Sequence, residues 1–203
     1  MPGRSAAAEA RGPLRVGIAH HLGWAVAVTA TTDHRVVDRR RIELVEEGVP
    51  GAPIHHEGGA HALHTAGPPP DDRELAALVA RARASIARTA TAALDALAAE
   101  VAARIGSLSV RAWPADFPDD IAVLRRVPYE SRADSVMYCQ ELAERAQERG
   151  WAVHLYDARS VEGQAVRILG DRADEVLRGP RATLGPPWSK DHRTALAATI
   201  VAG

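Results

Sequence analysis

The sequence predicts a single α/β domain: a mixed β-sheet with helices packed on its faces. Three observations predict it. A valine-rich apolar run over residues 14–31 is followed after three polar residues by a second strand-like run, two later apolar runs each follow a helical pattern, and the chain closes on an apolar helix. The short connection requires antiparallel pairing and the later alternation of helix and strand requires crossovers, so the sheet has to be mixed. With 203 residues, 46% hydrophobic and 25% charged, the chain can bury one core and is not a disordered or fibrous sequence.

The first dozen residues read as a flexible tail over 1–13, leaving one domain over 14–203. Residues 14–31 read as a long strand with a bend at Gly23. Thr32-Asp33-His34 breaks it, and residues 35–45 follow as an antiparallel strand. Residues 46–70 are rich in Gly, Pro and His and read as an irregular loop, with a short strand near Ile54. Asp71 with Glu74 three residues on opens an Ala-rich helix running to about Ile105, stopped by Gly106. Residues 107–113 alternate Leu108, Val110 and Ala112 against polar neighbours and read as a strand. Ser131 then reads as the N-cap of a helix ending at Gly150, residues 151–156 as a strand, and Val161, Ala165, Val166 and Leu169 as a helix. After a Gly/Pro-marked link, Ser189 caps the last helix.

The near-neutral balance of 25 Lys+Arg against 26 Asp+Glu removes any whole-chain attraction to polyanions. A single cysteine, Cys139, forms no internal disulfide, and a reducing cytoplasm is the expected setting. No apolar run is long enough for a membrane span, so no membrane partner is expected. Phosphate loops of the Walker or dinucleotide type and a Gly-x-Ser-x-Gly elbow are absent, which removes the usual support for NTPase, dehydrogenase and esterase readings.

Gly17-Ile18-Ala19-His20-His21 with Gly23-Trp24-Ala25-Val26, then Val110-Arg111-Ala112-Trp113, then Asp191-His192-Arg193-Thr194-Ala195-Leu196-Ala197 occur in an order that resembles the ribonuclease H-like superfamily. The local pattern is most similar to the RuvC-type Holliday junction resolvases. The resemblance implies an antiparallel hairpin followed by strands alternating with helices. For the family it also implies carboxylates from the first strand, the fourth strand and the last helix, holding two Mg²⁺ ions for phosphodiester cleavage. Here the corresponding positions carry Ala19, Trp113 and Thr194, and Asp191 one turn earlier is the acid that remains.

Two functions follow as expectations. One is a catalytically degenerate domain that binds nucleic acid or a protein partner. The other is a divergent metal-dependent nuclease built on Asp191, His192 and His20, with His21 beside them as a metal ligand. Imidazole and carboxylate suit Zn²⁺ or Mn²⁺, and carboxylate alone suits Mg²⁺. His55 and His56, with His61 and His64, form a second imidazole cluster with enough nitrogens for a metal but no regular ligand spacing, so incidental histidines of a loop are the favoured reading. Trp113, Asp116, Glu130, Trp188 and Lys190 flank the strand ends where this fold places its site and are candidate binding residues. Arg39, Arg40 and Arg41 form either a phosphate-gripping face or a solvated one. Cys139 reads as a small core residue, and the exposed face of the helix over 71–105 as a homodimer surface.

Overall fold

The computed structural model describes residues 12–58, 68–101 and 103–202. Five strands form one sheet in the order β3-β2-β1-β4-β5: β1 (Leu14–His20), β2 (Trp24–Ala30), β3 (Val36–Glu43), β4 (Ile105–Arg111) and β5 (Ala152–Tyr156). β2 runs antiparallel to β1 and β3, while β4 is parallel to β1 and β5 to β4, so β2 alone opposes the rest. An antiparallel hairpin followed by parallel strands alternating with helices is the arrangement that the sequence resemblance implies.

Two layers of helix cover it. One face carries α1 (Asp72–Val101) and α3 (Glu130–Glu148), which bury Ile86, Leu94, Leu97, Met137 and Leu142 against Val16, Ile18, Leu108 and Val110. The other carries α4 (Val161–Leu169), α5 (Ala173–Arg178) and α7 (Lys190–Val201), packed on Val26, Val28, Ala30 and Tyr156. Two short helices, α2 (Ile121–Leu124) and α6 (Pro180–Leu184), complete the chain. Alternation along each strand decides which side chain meets which layer. At Gly17 the approach of α7 is so close that a Cβ would overlap the carbonyl oxygen of Ala195. No helix among the described residues is long and apolar enough to cross a membrane.

Several expectations are corrected. The run over 14–31 is two antiparallel strands, because Gly23 takes a positive φ of 91° that turns the chain back. Near Ile54 there is a π-helical turn, Pro53–Gly58, in place of a strand. α1 stops at Val101, and Gly106 lies inside β4, where a Cβ would press on Pro13. Ser131 is not the cap of α3, which starts at Glu130; the Asp134 carboxylate instead accepts the backbone N–H groups of Ile54 and His55. The reciprocal Asp71–Glu74 cap of α1 is present, at 2.8 and 3.1 Å.

Candidate functional site

β1 ends between the two helical layers, and its last residues therefore divide between them. His20 points to the α3 side and is buried: its Nε2 lies 2.9 Å from Ser135 Oγ, and Cys139 Sγ is 3.6 Å from Nδ1. Burial, with Arg111 and His21 nearby, lowers its pKa to about 3, so the ring is neutral. His21 turns to the α7 side, where its Nε2 is 3.2 Å from the Asp191 carboxylate and its ring stacks on Trp24 at 4.2 Å. The sheet thus separates His20 from Asp191 and His192, and brings His21 to Asp191 instead.

The N-terminus of α7 explains His192. Its Nδ1 accepts the Ser189 N–H at 3.2 Å and lies 2.9 Å from the Ser189 hydroxyl, so imidazole takes the place that Glu or Gln fills in a capping box. Burial first, then Arg39, lowers its pKa. Trp188 is buried, donates Nε1–H to the Leu177 carbonyl at 2.8 Å and lies against the His192 ring. It is a wedge beneath the helix rather than an outward contact. Lys190, the first residue of α7, is exposed, as is Asp116 in the turn after β4.

Between α7 and the β3 edge runs a groove of about 540 Å³, lined by Trp24, Arg39, Arg41, Pro187, Asp191 and His192. Arg41 lies over the Trp24 ring at 4.0 Å and also binds Glu43 at 2.7 Å. Arg39 donates to the carbonyls of Leu184, Pro186 and Pro187, tying the segment before α7 to the sheet edge. Arg40 faces the opposite layer and pairs with Asp38 and Glu100. The three arginines therefore do not form one continuous basic face.

A second polar cluster lies under α3. His55 Nδ1 and Glu130 Oε2 are 3.8 Å apart, both buried and without a hydrogen-bond partner. Next to them, burial raises the Asp134 carboxyl to about 6 against the stabilising N–H groups of His55 and Ile54. His56 stands beside His55 with ring centroids 5.3 Å apart. His61 and His64 lie outside the described residues. Among the described residues no three His, Cys, Asp or Glu side chains are grouped as a metal ion requires.

Register shows which residues stand at the ends of β1 and β4. β1 and β4 pair as far as Gly17 with Ser109, and two residues beyond on each strand stand Ala19 and Arg111. Ala19 is packed in the apolar cluster under α7. Arg111 is level with Tyr156, which belongs to that same cluster, so it faces the α7 layer. Trp113 lies past the end of β4 and packs toward the α1–α3 core, so the residue at the strand end is Arg111. An apolar methyl and a guanidinium offer no oxygen ligand, and the positive charge opposes a divalent cation. The residues here do not fit a pair of Mg²⁺ ions.

Neither Arg111 nor Trp24 was among the residues singled out from sequence. The signal for Arg111 was available in the polar face of β4, where Ser107, Ser109 and Arg111 alternate with Leu108 and Val110. No protein-family model matches the chain, and no curated protein matches it. Among solved structures, T. thermophilus RuvC in complex with Holliday junction substrate aligns with 93% of this chain and 91% of that chain, at 12% identity and a TM-score of 0.48.

Proposed function

We propose that this chain is a ribonuclease H-like domain that acts by binding, that nucleic acid is its partner, and that two-metal phosphodiester cleavage is not its reaction. One observation carries this reading: the ends of β1 and β4 carry Ala19 and Arg111 and offer no carboxylate. The groove between α7 and the β3 edge supplies what a backbone-tracking surface uses, a tryptophan ring with Arg41 over it, and α7 opens on the exposed Lys190.

The test is fluorescence anisotropy with branched, double-stranded and single-stranded DNA and RNA over a range of salt, alongside cleavage assays with Mg²⁺ and Mn²⁺. The expected result is salt-dependent binding, weakened severalfold by Trp24→Ala or Arg41→Ala, without cleavage. Binding that ignores both substitutions, or no binding to any nucleic acid, overturns the nucleic-acid reading and leaves a protein partner. A homodimer through α1 is checked separately by solution mass against the 21.6 kDa chain.

A second reading is kept by the His21–Asp191 contact of 3.2 Å, an imidazole–carboxylate pair at the end of β1 suited to a single metal ion. It requires metal-dependent cleavage that disappears in Asp191→Ala. Cleavage that persists in that variant, or none in either protein, removes it.

A further inference from the structure

Arg111 differs from the arginines around it. Arg40, Arg83, Arg88, Arg125 and Arg149 each reach a carboxylate within 2.9 Å. Among the described residues none pairs with Arg111, and its Nε is buried without an acceptor. A guanidinium cannot lose its proton to escape the cost of burial, so an unpaired one in a partly buried position is a standing demand for an anion.

Its surroundings favour a ligand over a missing internal partner. Arg111 ends β4 just where β1 and β4 part, since Ile18 to His20 have no strand partner on that side. In that opening Tyr156, level with Arg111 on β5, donates its hydroxyl to the Ile18 carbonyl at 2.7 Å. On the opposite, α3 face of the sheet His20 lies against Ser135 and Cys139. All are neutral: burial holds the imidazole unprotonated, raises the Tyr156 hydroxyl and pushes the Cys139 thiol up to about 12. On the α7 side, which Arg111 faces, the Asp191 carboxylate is engaged by His21. One fixed cation without a paired carboxylate therefore stands beside the Tyr156 hydroxyl at the carboxyl ends of parallel strands, where α/β sheets bind ligands.

We infer that Arg111 anchors a phosphoryl oxyanion at the parting of β1 and β4, occupying with its own charge the place that a metal ion serves in the family the sequence resembles. The planar fork of Arg111 matches two phosphate oxygens, which a carboxylate-and-metal centre would instead hold through the cation. The same chemistry is offered by free phosphate and by a nucleic-acid backbone. The inference rests on Arg111 and stands whether or not the groove along β3 binds nucleic acid.

The experiment follows the Nε–H resonance of Arg111 in the full chain while inorganic phosphate is added at constant ionic strength, with chloride as the control. A 5′-phosphorylated dinucleotide and its dephosphorylated form provide the second arm. A saturable shift with phosphate, or with the phosphorylated dinucleotide alone, supports the site and tells free ion from backbone phosphate. Arg111→Gln is expected to weaken the interaction at least tenfold and Arg111→Lys less. A resonance that moves no further with phosphate or dinucleotide than with chloride overturns the inference, and because it is read on the unmodified protein it does so even if the variants fail to fold. Absence of nucleic-acid binding, or binding unchanged in Trp24→Ala and Arg41→Ala, with the Arg111 response intact would defeat the nucleic-acid reading alone.

Discussion

The Asp191 carboxylate is 3.2 Å from His21 Nε2, joining the first turn of α7 to the residue that follows β1. Asp191 also stands where the helix dipole favours an anion. Both groups are partly exposed, so the pair itself is worth little. Asp191→Ala is expected to cost about 1 kcal/mol in all, a fall in Tm of about 2–4 °C by calorimetry. A much larger fall would mean that Asp191 supports more of the helix than this contact.

Gly17 sets the distance between α7 and the sheet. Gly17→Ala drives a methyl into the Ala195 backbone, which cannot give way as a side chain could. Chemical denaturation is expected to show a loss of about 3 kcal/mol or more, or no folded protein. Gly150→Ala makes a useful contrast, because there the strain comes from a positive φ of 71° with no neighbour within reach. It is expected to cost about 1 kcal/mol.

Asp134 carries a pH dependence of definite sign. Its folded carboxyl is raised to about 6 from an ordinary 3.8, with His55 and the Ile54 N–H facing it from the π-helical turn and Tyr138 on its own helix. Between about pH 4 and 6 the folded chain therefore binds more protons than the unfolded one, and this group's contribution to stability falls as pH rises. Asp134→Asn is expected to remove that part of the slope. Parallel pH–stability curves for the two proteins would show that Asp134 does not titrate between the folded and unfolded states.

Cys139 is buried with its thiol pushed up to about 12. An aromatic disulfide reagent at neutral pH is expected to label it at the rate of unfolding, rising with denaturant. Fast labelling of the native protein would contradict that burial.

Arg39 is expected to act as a tie. Arg39→Ala removes the donor to three carbonyls over 184–187. Hydrogen exchange there should accelerate, and Trp188, next to Arg39 and His192, should change its fluorescence. Unchanged exchange would show that Pro186, Pro187 and Trp188 hold the segment unaided.

The order of strands and helices was legible because polar breaks and helical spacing are local signals. Asp71 and Glu74 announced a cap that is present, and Asp120 caps α2 through the N–H groups of Ala122 and Val123. The site was harder to read. That His20 and His21 face different layers follows from alternation, but which of them meets Asp191 depends on which helix covers which face, a tertiary fact. His192 looked like a ligand in sequence and serves as a cap, because its nearest donors are three residues back on its own chain. Trp113, which local similarity sets at an acid position, lies past the end of β4, and the pairing of Gly17 with Ser109 leaves Arg111 at the strand end. Register between strands far apart in sequence leaves no trace in the residues of either one.

The strand order also fixes a timetable. β1, β2 and β3 follow one another closely and can zip together as soon as they leave the ribosome, since closing such short loops is fast. The second edge of β1 has to wait: Val16 meets Leu108, about 90 residues later in the chain. Until α1 and β4 have been synthesised, the nascent meander presents an unpaired apolar edge ending in Ile18, whose carbonyl finally accepts the Tyr156 hydroxyl. The β1–β4 parting is complete only once β5 has also been made and has brought Tyr156 to Ile18, so a ligand held there binds chains whose sheet is finished.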